Sequence, residues 1–302
     1  MAFARLAALL VVLLGTGVAY AGPRDFSLIG LGRPQSNDLS DPSVARYRAL
    51  ATELAFVVGP RVLAGADSLG AAGFELAFAL NYTGISGSAE YWQGAPSAQV
   101  FESAVNGGGS PGGFWSPTLQ VRKGLPLSTD LGLSMAYLGS SSMVALGLDV
   151  KVGLFEAYLP RYVPDVALRA GVGHLVGASE LTQTTLEFDL LASYTIIWRA
   201  ALRLTPSLGI GRMLVRTSSG VLDATPAEVV DPADQTFAPG GSLYRFPTLG
   251  FGDNHITRLF LGCHAVYGFG FAGYFLDIGF IPSGIGAAGN HVSHTLKVGL
   301  NI

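Results

Sequence analysis

The chain has 302 residues, a formal net charge of −3 and a single cysteine, Cys263. The weakly acidic balance argues against nucleic-acid binding, which needs a clustered basic face, and one cysteine excludes an internal disulfide. Apolar residues make up 49% of the chain and charged residues only 13%, whereas ordinary soluble domains contain roughly 25% charged residues.

The first 21 residues have the pattern of a secretory signal peptide. Arg5 precedes an apolar run from Leu6 to Val18, and Ala19-Tyr20-Ala21 supplies a small-x-small cleavage site. A transmembrane anchor is the alternative, but the apolar run is too short for one and ends in the cleavage site. We therefore expect an exported chain, cleaved after Ala21.

Residues 22–71 form an N-terminal segment with one predicted helix. Asp41 and Pro42 supply an N-cap and a first-turn proline, and Gly59-Pro60 ends the helix, which gives bounds of about 42–58. The apolar side chains between these bounds recur at three- and four-residue spacing: Val44, Tyr47, Ala51, Leu54 and Val58. A single helix cannot form a domain, so we expect it to pack against the strands that follow.

From residue 72 onward, apolar and polar side chains alternate with a period of two. No segment here has the ~18 consecutive apolar residues of a membrane helix, so the apolar surface must be spread over strands. Ten stretches show the alternation: Gly73–Tyr82, Trp115–Arg122, Leu131–Leu138, Val144–Leu154, Val166–Leu175, Leu186–Arg199, Leu202–Met213, Thr257–Tyr267, Phe271–Ile281 and Val292–Ile302. Strands of about nine residues or more can cross a bilayer at a tilt.

The connections between these stretches differ in length. Four are short, at 124–128, 158–164, 199–201 and 268–270, and two are long, at 83–113 and 216–255. Short turns at one end and long loops at the other are typical of a membrane barrel. The sequence therefore predicts an all-β fold: an antiparallel transmembrane β-barrel of about ten strands, with a range of eight to twelve, over residues 72–302.

The last stretch carries a family resemblance. Leu296, Val298, Leu300 and Ile302 point to one side, and the chain stops on this apolar face. Such a segment resembles the closing strand of Gram-negative outer-membrane β-barrels. The resemblance implies an outer-membrane location, contact with outer-membrane lipid and lipopolysaccharide, and recognition of this strand by the barrel-assembly machinery. The helix would then be a plug in the barrel mouth, which we favour, or a periplasmic cap.

A soluble β-sandwich also shows alternating strands. A sandwich would bury its apolar faces, but here those faces carry aromatic residues near the strand ends: Tyr82, Trp115, Tyr137, Trp198 and Tyr267. Aromatic residues at the ends of lipid-facing strands form the interfacial girdle of membrane barrels. The barrel is therefore the better interpretation.

The faces opposite the apolar stripe carry charges of both signs. The acids are Glu75, Asp149, Glu187, Asp189 and Asp277, and the bases are Arg122, Lys151, Arg169, Arg203, Arg258 and Lys297. Side chains can largely fill the interior of a barrel of eight to ten strands. Because buried charges need partners, we interpret this set as a structural ion-pair network inside the lumen.

Two enzymatic alternatives remain open on the sequence. His291-Val292-Ser293 resembles the His-x-Ser of outer-membrane lipid A deacylases, with Ser293 as nucleophile and His291 as its base. Asp253 and His255 lie where an omptin-type protease needs acidic and histidine groups. The match is only three residues long, and alternation turns His291 and Ser293 inward, so we expect no enzymatic activity. No nucleotide, phosphate or zinc motif occurs, so we expect no cofactor and no metal.

These observations favour a structural or passively transporting barrel with a filled lumen. A lumen-inserted N-terminus is similar in plan to FadL-type transporters, so a channel for small hydrophobic compounds is the alternative. A lateral transporter would have an apolar cavity leading to a gap in the wall, whereas a structural barrel would have an unbroken wall and paired charges.

Overall fold

A computed structural model describes residues 27–95, 98–99, 112–139, 141–155, 163–198, 202–223, 243–287 and 289–302. The predicted signal peptide lies outside the described residues, and its cleavage stays a prediction. Among the described residues, no helix is both long and apolar enough to cross a membrane.

Ten long strands form a closed antiparallel barrel, as the sequence predicts. Each strand pairs with the next along the chain, and the first pairs with the last. Their bounds are β1 Phe74–Gly84, β2 Gly113–Leu125, β3 Thr129–Tyr137, β4 Val144–Phe155, β5 Asp165–Val176, β6 Leu181–Ser193, β7 Leu202–Ser219, β8 Leu249–Tyr267, β9 Gly270–Phe280 and β10 Asn290–Asn301.

The remaining elements are short, apart from one helix. Helix α1 spans Pro42–Val58, a 3-10 turn spans Leu28–Leu31, and helix α2 spans Glu90–Gln93. A second 3-10 turn lies at Ser283–Ile285. Short strands pair as Gly94–Ala95 with Ala98–Gln99, Leu222–Asp223 with Leu243–Tyr244, and Ile196–Trp198 with β7.

The two ends of the barrel differ in their connections. We call the end where β10 stops the C-terminal end, and the opposite end the long-loop end. The predicted long connections both lie at the long-loop end, at 85–112 and 220–248. Three shorter connections, at 138–143, 177–180 and 281–289, lie there too, so length alone does not mark this end.

The faces of the strands follow the predicted register. In β1, Leu76 and Phe78 point outward and are 41% and 49% exposed, whereas Ala77, Ala79 and Asn81 are buried. The aromatic residues predicted for the girdle lie on the outer surface at both ends. Trp115 packs on Tyr82 at the long-loop end with ring centroids 4.8 Å apart.

Three predicted strands differ most from the observed ones in their bounds. Strands β7 and β8 extend beyond the predicted 202–213 and 257–267 because their hairpin continues past the apolar band. There the outward face carries the exposed Arg216, whereas Val215 and Ile256 are buried inside, so the predicted pattern of apolar side chains outside no longer holds. The predicted strand 186–199 is instead β6 followed by the short Ile196–Trp198. The two pieces separate opposite Pro206, which has no N–H to donate to its neighbour.

Cys263 provides a test of which face of β8 meets lipid. It lies outward and exposed in β8, in the row that contains Leu261 and Tyr267. In isolated membranes we expect a lipophilic maleimide to label Cys263 and a membrane-impermeant one to leave it unlabelled. The control is Leu127→Cys in a Cys263→Ser background, because Leu127 is 91% exposed in a turn. Rapid labelling of Cys263 by the impermeant reagent would mean that this face meets water.

Candidate functional site: the filled lumen

The N-terminal segment passes through the lumen from one end of the barrel to the other. At the long-loop end, the Leu28 amide donates to Glu180 in the connection between β5 and β6 at 2.5 Å. Near the C-terminal end, the amide of Ala66 donates to Ser193 Oγ at 2.8 Å. The amide of Leu69 then donates to the Asp130 carboxylate at 3.0 Å, shortly before β1 begins. We call residues 41–69 of this segment, which include helix α1, the plug.

Helix α1 begins at a well-satisfied N-cap. The Asp41 carboxylate accepts the backbone N–H groups of Ser43 at 2.9 Å and Val44 at 3.3 Å, and also those of Gln35 and Ser36. Burial raises the pKa of Asp41, but these four donors lower it by more, so the pKa lies below its ordinary value. The cap stays ionised in neutral solution and holds the start of the helix.

The helix is buried on most sides and contacts the wall in the long-loop half. The Ala51 carbonyl accepts from Gln183 Nε2 on β6 at 2.6 Å. Arg48 donates to Asn254 Oδ1 on β8 at 2.8 Å and to the Gly284 carbonyl at 3.1 Å. These contacts fix the helix to β6, to β8 and to the connection before β10.

An ion-pair cluster around Asp277 joins the plug to the wall. Asp277 on β9 pairs with Arg258 on β8 at 2.7 Å and with Arg61 of the plug at 2.9 Å. Arg258 also pairs with Glu187 on β6 at 2.9 Å, and its guanidinium donates to the Pro60 carbonyl at 3.3 Å. Of the inward bases on the two strands next to β9, Arg258 pairs with Asp277, whereas Lys297 pairs with Glu75.

A second cluster is centred on Arg169 of β5. Its guanidinium pairs with Asp189 at 2.6 Å, with Glu187 at 2.9 Å and with Asp149 at 3.2 Å. Asp149 pairs in addition with Arg122 of β2 at 3.0 Å. Because Glu187 belongs to both clusters, the charges form one continuous network across the lumen.

Two lysines bind the part of the plug that lies toward the C-terminal end of the barrel. Lys297 pairs with Glu75 at 2.6 Å and donates to the Leu63 carbonyl at 2.7 Å. Lys151 pairs with Asp130 at 3.1 Å and donates to the Gly65 carbonyl at 2.8 Å. Each lysine therefore neutralises an acid of the wall and also fixes the backbone of the plug.

Arg203 is the one predicted network member that the structure places apart. It points inward near the C-terminal end but is exposed, and among the described residues it makes no ion pair. It lines a cavity of about 480 Å³ at this end, and Leu63 of the plug lines the same cavity. The prediction of a buried pair is wrong for Arg203 because the plug does not fill this last part of the lumen.

The proposed catalytic pair does not assemble. His291 Nδ1 lies 3.0 Å from a carboxylate oxygen of Glu53 on α1, and the Ser293 hydroxyl bonds to Thr83 Oγ1 at 2.9 Å. His291 is 4% exposed and Ser293 is fully buried, so neither reaches lipid or solvent. Glu53 also accepts from Trp92 Nε1 at 2.6 Å. Glu53 therefore links helix α1 to β10 through His291 and to helix α2 through Trp92.

Three buried charges of the lumen escaped the sequence analysis. Asp130 lies one residue before the predicted start of its strand, so its inward position was not recognised. Glu53 and Arg61 belong to the plug, and only their partners on the wall identify them. Within the described residues, no three His, Cys, Asp or Glu side chains are grouped so as to hold a metal ion.

Comparisons with known proteins give structural matches only. No protein-family model matches the chain, and no curated protein matches it. The translocator domain of the autotransporter NalP from Neisseria meningitidis has a TM-score of 0.40 at 10% identity, covering 77% of this chain and 88% of that one. The Acinetobacter baumannii outer-membrane protein Omp33 has a TM-score of 0.31 at 10% identity, covering 79% and 100%. Neisserial surface protein A has 0.27 at 12%, covering 76% and 96%.

Proposed function

We propose that the protein is an outer-membrane β-barrel with a structural role, closed by its own N-terminal segment. The observation that carries the proposal is the plug of residues 41–69, whose charges pair with those of the wall. Arg61 inserts between the helix and Asp277, and the backbone of the plug accepts hydrogen bonds from Lys151, Arg258 and Lys297. A lumen occupied in this way leaves no wide aqueous channel.

The outer surface supports a membrane location. Outward side chains such as Phe78, Leu133 and Leu208 are about half exposed, and the apolar band that they form ends at aromatic residues on both sides. Under this proposal the signal peptide is removed after Ala21, the barrel-assembly machinery recognises β10, and the surface contacts outer-membrane lipid and lipopolysaccharide. The long-loop end then faces the exterior.

The other functions receive less support. A FadL-like channel needs an apolar passage to a gap in the wall, but each of the ten long barrel strands is paired on both sides. A lipid A deacylase needs an accessible Ser293 and His291, and both are buried. For the omptin alternative, the Asp253 carboxylate already accepts the Gly250 N–H at 2.7 Å. Passive transport would require the plug to leave the lumen.

The membrane assignment predicts a characteristic behaviour on gels. Protein folded in detergent is expected to migrate differently before and after boiling, because a closed strand ladder resists detergent until it is heated. Residues 22–302 should also need detergent to remain in solution. A monomer that is fully soluble in plain buffer, with identical mobility before and after boiling, would refute the membrane assignment.

The closed lumen predicts low conductance. In planar bilayers the full-length protein is expected to show no large steady current, because α1 and the ion-pair network occupy the lumen. A variant lacking residues 42–69 is the positive control, once its heat-dependent mobility shows that the barrel still forms. A large steady conductance from the intact protein would show an open pore and contradict the proposal.

A further inference from the structure

Strand β7 carries two arginines on its outer face. Arg212 and Arg216 are exposed and alternate with the buried Met213 and Val215. Among the described strand residues, they are the only Arg or Lys side chains that point outward in the long-loop half of the barrel. In the part of the chain that the structure describes, neither guanidinium makes an ion pair or a hydrogen bond. Two cations on the outer wall therefore have no ion-pair partner among the described residues.

The neighbours of these arginines on the adjacent strands are a threonine, two histidines and one carboxylate. Arg216 lies opposite Thr184 of β6, whose hydroxyl is 3.0 Å from Nδ1 of His174 on β5. On the other side, His255 of β8 lies opposite Leu214, between the two arginines. Asp253 of β8 also lies near Arg216, but its carboxylate accepts the Gly250 N–H and makes no ion pair with either arginine.

An apolar groove lies directly below Arg212 on the same wall. It has a volume of about 620 Å³ and crosses strands β4 to β8, with Arg212 at its margin on the long-loop side. Its apolar lining comes from Val150, Val152, Leu168, Phe188, Leu190 and Ile210. The groove can hold hydrocarbon chains, and the arginines stand where the headgroup of the same lipid would lie.

We propose that this surface binds one phosphorylated lipid of the outer leaflet, with acyl chains in the groove and phosphates on Arg212 and Arg216. Guanidinium groups pair with phosphate through two parallel N–H donors, which favours phosphate over a neutral headgroup. Four residues along a strand separate the two side chains by roughly 13 Å. That separation suits a headgroup with two phosphates, as in the lipid A part of lipopolysaccharide, better than a single phosphodiester.

This inference rests on the proposed outer-membrane location, and lipid binding tests it. Full-length protein is folded in neutral detergent, its fold is checked by heat-dependent gel mobility, and purified lipopolysaccharide is titrated while retention is followed by native mass spectrometry. The variant Arg212→Ser with Arg216→Ser is expected to bind at least about tenfold more weakly than the parent. Removing the phosphates from the lipid should weaken binding to the parent protein by a similar factor.

Two control variants distinguish binding at this site from a general electrostatic attraction between the lipid and the protein. Lys123→Ser removes an outward base at the C-terminal end and should leave the affinity unchanged. Ala170→Phe fills the groove without changing charge and should weaken binding. Equal affinity of the double variant and the parent, or an equal loss in Lys123→Ser, would overturn the site while the barrel itself still folds in detergent. Failure of the parent to form a heat-modifiable barrel would instead refute the proposed function.

Discussion

Replacing Asp277 by leucine is expected to lower the free energy of unfolding by about 3–5 kcal/mol, because it leaves two buried guanidinium groups without their shared carboxylate. Arg61 loses its one ion pair among the described residues, and Arg258 keeps only Glu187. The change is measured by denaturant unfolding of the barrel in lipid vesicles. The matched control is Asp38→Leu, which removes an acid that is exposed.

A second substitution tests whether the loss of stability comes from the unpaired guanidinium of Arg61. Adding Arg61→Met to Asp277→Leu removes one of the two orphaned cations and should restore part of the lost stability. Arg61 is the better choice for this rescue, because removing Arg258 would leave Glu187 with one cation fewer. An Asp277→Leu protein as stable as the parent would show that water, and not the plug, fills this part of the lumen.

Replacing Arg169 by methionine is expected to have a similarly large effect, about 3–5 kcal/mol in the free energy of unfolding. Asp149 would keep Arg122 and Glu187 would keep Arg258, but Asp189 would lose its one ion pair among the described residues. Two neighbouring acids, Glu187 and Asp189, would then face each other without the cation between them. Denaturant unfolding in vesicles measures the loss.

The control for Arg169 lies in the same lumen. Arg203→Met makes the same chemical change at an inward arginine that is exposed, so its effect should be small. Adding Asp189→Leu to Arg169→Met should recover part of the stability. Equal effects of Arg169→Met and Arg203→Met would mean that burial and pairing do not distinguish these two positions.

The wall of the barrel was predictable because one face of each strand must meet lipid. A shift by one residue would turn Phe78 and Leu80 into the lumen and Glu75 and Asn81 into the apolar band, so the alternation fixes the register. The same logic assigned the charged residues of the lumen to the inside. The alternation did not predict the extension of β7 to Ser219, because the outward face there carries Arg216 and the apolar Val215 points into the lumen.

The plug was only partly predictable, because most of it has no repeating pattern. Asp41, Pro42 and Gly59 mark the ends of α1 by local chemistry, and the structure has the helix within those bounds. Residues 59–72 have neither period nor regular structure, and their position depends on side chains far away in the sequence. Arg61 and Asp277 are 216 residues apart, so their contact could not be derived from local pattern.

A designed disulfide tests whether residues 59–72 run through the lumen. A Cβ placed on Gly65 would lie 3.1 Å from Ser193 Oγ on β6, a separation compatible with a disulfide. It would also lie 2.5 Å from Asp67 Oδ1, so the end of that flexible side chain must shift to admit the cysteine. Gly65→Cys with Ser193→Cys, in a Cys263→Ser background, is oxidised in the folded full-length protein and analysed by peptide mass spectrometry. We predict a 65–193 cross-link in the heat-modifiable barrel, and none when Ser193→Cys is replaced by Ser218→Cys at the long-loop end. A folded barrel without the 65–193 cross-link would mean that this segment does not pass beside β6 inside the lumen.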